Sequence, residues 1–337
     1  MQRVSAKPGP GSKPVSIFIH KNVAGYLLVL LTGPQSLNFM LLNARPMRTV
    51  NLIVFLLFPA ICFCQNTSAF NPDSTIIAMP GYSLAWHDEF NKDGRPDSAN
   101  WNYENGFVRN EELQWYQPNN VACVNGLLVI EGRRQQIPNP RYIAGSTDWR
   151  KARQFANYTS ACITTKGLQQ FGYGRFEIRA RIDTATGAWP AIWTLGTNGP
   201  WPANGEVDLM EFYRVNGIPT ILGNVAWGTA QRNVAKWNTQ RRPLINFTKT
   251  DAEWVHKFHV WRMDWNKDSI AIFIDGNQIN STLMVNTINA DSTNPFINKP
   301  MFILLNLALG QNGGDPANAQ FPVKYEVDYV RYWKKVE

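Results

Sequence analysis

The alternation of apolar and charged side chains constrains the fold of this chain more than any other feature. The segment Gly174–Ile182 (GRFEIRARI) changes from apolar to charged at almost every step. A period of two places the apolar side chains on one face of a β-strand. Tyr325–Trp333 (YEVDYVRYW) shows the same alternation, whereas Met301–Leu309 is apolar enough for a strand that is covered on both faces. These segments predict β-sheets packed face to face.

Two short turns strengthen this prediction. Asn125-Gly126 separates two apolar runs, and Asp275-Gly276 separates two more. These dipeptides supply the positive φ angles that a tight hairpin needs. No stretch has a convincing helical period, apart from a short turn near Thr250–Trp254. We therefore expect an all-β fold, a sandwich of two antiparallel sheets.

The first 64 residues differ in character from the rest. Met47 and Arg48 precede the apolar run Leu52–Phe58 and the small-residue stretch Ala60–Cys64. This order is typical of a secretory signal peptide, and the apolar core is too short to span a bilayer. We expect a targeting region over 1–64, with the signal peptide at about 47–64 and residues 1–46 as a misassigned start. A linker over 65–80 and a single domain over 81–337 would follow.

The predicted signal peptide implies a secreted or periplasmic protein with no transmembrane helix in its mature form. The alternative is an outer-membrane lipoprotein attached at Cys64. Phe63 precedes that cysteine, where a lipoprotein site needs a small residue.

The positive charge of the chain lies mainly at its N-terminal end. The formal net charge is +8, and residues 1–64 carry six basic and no acidic side chains, which leaves +2 for the remainder. Nucleic-acid binding requires a basic face, so we expect no nucleic-acid partner. We expect a monomer. The two later cysteines, Cys123 and Cys162, are compatible with a disulfide or with two buried thiols on neighbouring strands.

Three acids lie close together in the segment Trp201–Tyr213 (WPANGEVDLMEFY). Glu206 and Asp208 are two residues apart and share one face of a strand. Glu211 would face the other side unless one extra residue, a β-bulge near Leu209-Met210, restores its direction. A bulge would thus bring three acids to one open face.

Like charges side by side on a strand repel each other, so this arrangement is unfavourable for a purely structural sheet. Glycoside hydrolysis gives each acid a task, because it needs one carboxylate at the anomeric carbon and one protonated acid at the leaving oxygen. The alternative for a bare Glu-x-Asp-x-x-Glu pattern is a solvated edge strand.

Six segments extend the pattern. The chain resembles glycoside hydrolase family 16, in particular its laminarinase-like members, over about residues 82–334. The matching segments are LAWHDEF (84–90), NEELQWY (110–116), YTSACITT (158–165), WPAIW (189–193), WPANGEVDLME (201–211) and DYVRYW (328–333).

The resemblance implies a concanavalin-like β-jelly-roll with a concave substrate cleft. It implies a retaining endo-hydrolase of β-1,3-linked glucan that needs no cofactor for catalysis. Glu206 matches the family nucleophile, Asp208 the assisting acid and Glu211 the acid/base. The alternatives are the same chemistry on a marine galactan (agar, porphyran or carrageenan), a transglycosylase, or a non-catalytic carbohydrate-binding protein, although such proteins typically lack these acids.

Several further residues are candidates for contacts with the polysaccharide. Trp189 and Trp193 are four residues apart and share a face, and Trp227 follows the acid strand. Aromatic rings suit the apolar faces of sugars, but large cores also contain tryptophan. Asn110 matches an asparagine that binds a sugar before the cleavage point in similar enzymes, or else is a turn residue. Gln311 lies in a glycine-rich loop after a buried strand.

Glu89 and Asp328 fall where many family members hold a structural calcium ion. Carboxylate oxygens are suitable ligands for that ion. Asp328 could equally be a surface acid. We expect at most this one structural ion.

Two positions depart from the family pattern. Ala226 stands where a histidine is usual beside the acid/base, and Cys162 stands where an arginine is usual. Both changes weaken the prediction of the substrate more than the prediction of the catalytic mechanism.

Overall fold

The computed structural model describes residues 76–336 and three short N-terminal strands, and the chain divides into two compact units, Met1–Asn66 and Thr67–Glu337. The strands of the first unit are β1 (Gln2–Val4), β2 (Ile17–Asn22) and β3 (Gly25–Leu27), which pair in that order as an antiparallel sheet. The predicted signal peptide at 47–64 and the first part of the predicted linker, 65–75, lie outside the described residues.

The second unit consists mainly of strands. In chain order these are β4 (Tyr82–Asp88), β5 (Asn102–Tyr103), β6 (Gln114–Tyr116), β7 (Val121–Val124), β8 (Leu127–Pro138), β9 (Phe155–Ser160), β10 (Cys162–Thr164), β11 (Gly174–Ile182), β12 (Ala188–Gly196), β13 (Glu206–Val215), β14 (Ile218–Gly228), β15 (Ala235–Pro243), β16 (His259–Trp265), β17 (Ser269–Ile274), β18 (Asn277–Leu283), β19 (Met301–Leu309) and β20 (Val323–Lys335).

These strands form two sheets. One has seven strands in the order β15-β14-β13-β12-β19-β10-β5, and the other has the order β18-β17-β16-β11-β20-β8-β9-β6, with β4 beside β20 and β7 beside β8. The pairing is antiparallel except between β6 and β9. The all-β, two-sheet jelly-roll sandwich predicted from the sequence is thereby confirmed.

Helical segments are short in residues 76–336. The α-helices are α1 (Trp149–Ala152) and α2 (Ile245–Thr248), and 3₁₀ turns occur at Pro118–Asn120, Trp254–His256, Met284–Asn286, Gln311–Gly313 and Pro316–Asn318. The helical turn predicted near Thr250–Trp254 begins only at its last residue, Trp254, and α2 ends before it at Thr248. No helix among the described residues is both long and apolar enough to span a membrane.

The apolar faces of the two sheets enclose the core. Phe176, Ile178 and Ala180 of β11 are fully buried, as the alternation predicted. Every residue of β19 is buried, because that central strand is covered on both faces. Cys123 and Cys162 are both buried free thiols. They lie in different sheets, so the expectation that they occupy neighbouring strands was wrong.

Both predicted hairpins form. Asn125-Gly126 joins β7 to β8 with φ angles of 53° and 77°, and Asp275-Gly276 joins β17 to β18 with φ angles of 47° and 79°. Both dipeptides thus adopt the left-handed backbone that the sequence required of them.

Candidate active site

A β-bulge in β13 brings the three acids to one face. Asp208 lies opposite Asn224 of β14, and Glu211 lies opposite Leu222. Three steps along β13 therefore match only two steps along β14, and the extra residue falls at 209–210. The bulge has the position predicted from the sequence, and it re-aims the last acid.

The intervening side chains face the opposite way. Val207, Leu209 and Met210 are at most 1% exposed and belong to the core between the sheets. Their burial fixes the register of β13, because a slip by one residue would exchange the core face with the acidic face.

Gly205 explains the glycine directly before the first acid. Its φ angle is +80°, in the left-handed region that favours glycine. A Cβ at this position would also lie 2.8 Å from a ring carbon of Phe296. Only glycine therefore allows the chain to enter β13 at this angle.

Two indole groups donate to the outer acids. Trp201 Nε1 lies 2.5 Å from Glu206 Oε2, and Trp189 Nε1 lies 2.9 Å from Glu211 Oε1. Each donor fixes one carboxyl oxygen and leaves the other available for a second contact.

The side-chain amide of Asn224 links Asp208 to Glu211. Its nitrogen donates to Asp208 Oδ2 at 2.9 Å and to Glu211 Oε2 at 2.7 Å. Asp208 is 1% exposed and also forms side-chain hydrogen bonds with Glu206 and Glu211. The three carboxyl groups are therefore one connected network with the aspartate at its centre.

Burial and mutual repulsion favour the protonated forms of these acids. Burial, together with the charge of Glu206, raises the pKa of Glu211 to about 7 against the hydrogen bond from Trp189. Burial, with the charges of both glutamates, raises the pKa of Asp208 well above its ordinary value. Burial also raises the pKa of Glu206, although hydrogen bonds from Trp201 and Asp208 lower it.

The face that carries the three acids continues over the neighbouring strands, from β15 to β12. Residues directly opposite each other in neighbouring strands share a face. From β15 to β12 the rows are Trp237–Ala226–Glu206–Leu195, Thr239–Asn224–Asp208–Trp193 and Arg241–Leu222–Glu211–Ala191.

A cleft of about 850 Å³ lies over these rows. Its lining residues are Arg109, Asn110, Glu112, Trp189, Ala191, Trp193, Leu195, Trp201, Glu206, Asp208, Glu211, Tyr213, Asn224, Trp237, Thr239, Arg241, Asn306, Gln311 and Asn312. The cleft thus extends from the edge strand β15 across the acids to the loops beyond β19.

Four of the five predicted sugar-binding residues line this cleft. Trp189 and Trp193 form part of its floor, each 8% exposed, and Asn110 and Gln311 lie in loops at its border. Asn110 Nδ2 lies 3.3 Å from Glu112 Oε1. Both loop residues have positive φ angles, 54° and 47°. Their roles in binding stay predictions.

The fifth prediction was wrong. Trp227 is 4% exposed and belongs to the core between the sheets. Its neighbour Ala226 lies opposite Glu206 and shares the cleft face, so Trp227 must face the other way. The tryptophan that reaches the cleft from this region is Trp237, which lies opposite Ala226 on β15 and is 43% exposed.

Sequence reasoning also missed a cation in the cleft. Arg109 forms an ion pair with Glu104, and its guanidinium lies 5.0 Å from the ring of Trp193 and 5.9 Å from that of Tyr116. Its charge is among the influences that lower the pKa of Glu206 against the larger effect of burial. Among residues 76–336, its buried Nη1 has no hydrogen-bond partner.

The residues predicted to hold calcium have other partners. Glu89 accepts hydrogen bonds from Arg331 at 2.9 and 2.7 Å, and Asp328 accepts one from Arg179 at 2.5 Å. Calcium requires six to eight oxygen ligands. Within the described part of the chain, no group of three or more His, Cys, Asp or Glu side chains could hold a metal. Both carboxylates thus have arginine partners in this structure, and the calcium site stays a prediction.

Comparisons with known proteins agree with this geometry. The family model for glycosyl hydrolases family 16 matches residues 141–331. A β-glucanase from Rhodothermus marinus is 32% identical over 280 residues, which cover 77% of this chain and 87% of that protein.

Two solved structures have the same fold. An endo-β-1,3-glucanase from Pyrococcus furiosus is similar with a TM-score of 0.65 at 30% identity, over 77% of this chain and 98% of that one. A structure from work on endo-acting O-glycanases, with which human gut bacteria initiate mucin breakdown, has a TM-score of 0.69 at 31% identity, over 77% and 94% of the two chains.

Proposed function

This chain belongs to glycoside hydrolase family 16, and we propose that it is a retaining endo-hydrolase of β-1,3-linked glucan. The observation that carries the proposal is the connected row of Glu206, Asp208 and Glu211 on the floor of the cleft. A relative that is a β-glucanase and a structural neighbour that is an endo-β-1,3-glucanase support the choice of substrate.

In the first step, a carboxylate oxygen of Glu206 attacks the anomeric carbon of the sugar. The glycosidic C–O bond breaks, and its electron pair goes to the leaving oxygen, which takes the proton of Glu211. The raised pKa of Glu211, about 7, suits this task because the acid stays protonated in weakly acidic solution.

In the second step, water replaces the leaving sugar. Glu211, now ionised, takes a proton from the water while the water oxygen attacks the anomeric carbon. The ester bond to Glu206 breaks, which regenerates its carboxylate and the protonated Glu211. Two inversions at one carbon retain the β-configuration.

Asp208 acts between the two glutamates. Burial and both glutamate charges raise its pKa, so it holds a proton that it can donate to Glu206. That hydrogen bond lowers the pKa of Glu206 and orients the nucleophile. Asn224 holds the other side of the aspartate at 2.9 Å.

The decisive experiment combines a polysaccharide panel with the stereochemistry of the product. Wild type and Glu206→Gln would be assayed for new reducing ends on laminarin, mixed-linkage glucan, agar, porphyran and carrageenan. We expect cleavage of laminarin by the wild type alone, with the β-anomer as the first product by ¹H NMR. Initial release of the α-anomer contradicts the retaining mechanism, and binding without turnover indicates a carbohydrate-binding protein.

A second candidate substrate is a β-linked galactose-containing glycan. Ala226 stands where similar enzymes usually have a histidine, and in this structure it lies opposite the nucleophile Glu206 rather than the acid/base. One structural neighbour comes from work on mucin O-glycanases. Agar, porphyran and mucin O-glycans in the panel separate the two candidates, because a galactanase would leave laminarin intact.

We also propose that the protein acts outside the cytoplasm. The support is the signal-peptide pattern at 47–64 together with a polymeric substrate that does not enter cells. N-terminal sequencing of the secreted protein tests this proposal. A mature chain that begins with a lipid-modified Cys64 would instead indicate an anchored lipoprotein.

A further inference from the structure

The edge strand β15 presents three side chains to the cleft. Trp237, Thr239 and Arg241 alternate along the strand with residues that face away, and all three line the cavity. They continue the rows of Glu206, Asp208 and Glu211, two strands away from the acids. This end of the cleft lies on the opposite side of the acids from Asn110, which resembles a residue that binds sugar before the cleavage point. On that resemblance, we assign the edge strand to the leaving-group side of the substrate.

Arg241 differs from the other cationic residue of the cleft in lacking a counter-charge. Arg109 is paired with Glu104. Arg241 is exposed, and its side chain forms no hydrogen bond or ion pair with any residue of the described range 76–336. Its field still reaches the site, because it lowers the pKa of Tyr213 against the larger effect of burial.

Trp237 and Arg241 lie at the two ends of the part of β15 that faces the cleft. Trp237 and Arg241 are four residues apart, which corresponds to about 13 Å along a strand. Thr239 lies between them and is half-buried. A sugar unit above Thr239 would meet an indole ring on one flank and a guanidinium on the other.

The geometry points to a leaving-group subsite on β15 for a sugar unit that carries an anionic substituent, a sulfate ester or a carboxylate. This inference rests on the proposed function and narrows its substrate class. A guanidinium binds oxyanions through two parallel N–H donors, and Arg241 has all its donors free for this. A wholly neutral glucan offers no group that would balance this charge.

The test compares Arg241→Gln with the matched control Lys236→Gln. Lys236 lies on the same strand and the same change removes one positive charge, but it pairs with the core residue Trp227 and does not line the cleft. Each variant and the wild type would be assayed on β-1,3-gluco-oligosaccharides, on their sulfated derivatives, and on derivatives oxidised at C6 to the carboxylate.

We expect Arg241→Gln to lower kcat/KM on an anionic substrate by about tenfold, since a charge-assisted bidentate contact is lost. Lys236→Gln should change kcat/KM on either substrate by less than about twofold, the scale of an exposed contact. Arg241→Gln should lower kcat/KM on the neutral oligosaccharides clearly less than on the anionic ones. Added salt should raise KM of the wild type for the anionic substrate and should do so much less in the variant, because salt screens the lost attraction. The sulfated and carboxylated arms show which substituent the subsite takes.

Equal losses on neutral and anionic substrates, or equal losses in both variants, overturn the inference and leave the proposed function intact. If the wild type cleaves no β-1,3-glucan, the proposed function fails instead. Calorimetry of sulfated oligosaccharide binding to Glu206→Gln, with and without Arg241→Gln, then still tests the subsite because it needs no turnover.

Discussion

The side-chain nitrogen of Asn224 lies 2.7 Å from Oε2 of Glu211 and donates a hydrogen bond to it. Donation stabilises the ionised carboxylate and therefore lowers its pKa, whereas burial raises that pKa to about 7. The balance matters because this acid must be protonated in one step of the proposed reaction and ionised in the next.

Replacing Asn224 by Ala should raise the pKa of Glu211, since a donor to its charged form is lost. The basic limb of the pH profile of kcat/KM should then move to higher pH. At pH 6 the second step should slow by about tenfold, the effect of losing a hydrogen bond to a charged group. The measurement is a pH series of initial rates on laminarin.

Asn238→Ala is the control for this change. Asn238 lies on the adjacent strand and donates to Thr282, outside the cleft, so its loss should leave the limb in place. A basic limb that stays at the same pH in Asn224→Ala contradicts the assignment of Glu211 as the acid.

Glu211→Gln should stabilise the protein at alkaline pH. The folded-state pKa of about 7 lies above the ordinary value of 4.5, so the folded chain binds the proton more tightly than the unfolded chain. This favourable contribution is fully present below about pH 4.5 and is lost as the pH rises through 7. The neutral amide avoids the loss, on the order of 3 kcal/mol in the free energy of unfolding at pH 8.

Urea unfolding of both proteins at pH 4 and pH 8 measures this effect. The two free energies of unfolding should agree at pH 4 and separate at pH 8, with the variant the more stable. If the two proteins have the same free energy of unfolding at both pH values, burial of the ionised Glu211 does not destabilise the fold. The expected trade of stability against activity is common at catalytic sites.

Arg109→Met should move the acidic limb of the pH profile to higher pH. The charge of Arg109 is one of the influences that lower the pKa of Glu206 against the effect of burial, and the nucleophile must be ionised to attack. Arg109→Lys keeps the charge, so the acidic limb should lie close to its wild-type pH, although the planar stacking on Trp193 is lost. An acidic limb that both variants displace equally would indicate a packing role alone.

Much of the site could be predicted because its chemistry constrains its backbone. Glu206 and Glu211 can share a face only if one residue is extra, so the bulge at 209–210 followed from the requirement that both reach one substrate. The glycine at 205 and the hairpin dipeptides carried local signals of the same kind.

The rest depended on registers between strands that are distant in the chain. Trp227 and Trp237 belong to neighbouring strands, and which of them faces the cleft depends on how β14 and β15 align with β13. A shift of one residue exchanges their faces, and the sequence around them fixes no register. Asn224 and Arg109 were missed for the same reason, since each meets the acids only through tertiary pairing.

The two tryptophans provide the last prediction, because they should respond to truncation in opposite ways. Trp227→Ala removes a core side chain that is 4% exposed, and it should lower the free energy of unfolding by about 3–5 kcal/mol. KM should stay close to that of the wild type at a temperature where the variant is folded. Trp237→Ala removes a ring that is 43% exposed, so unfolding should change little while KM on long oligosaccharides rises roughly three- to tenfold. Thermal unfolding and KM on a ladder of oligosaccharide lengths separate the two effects. A rise in KM for Trp227→Ala, or a KM for Trp237→Ala that does not depend on chain length, would mean that the register between β14 and β15 does not set which ring faces the sugar.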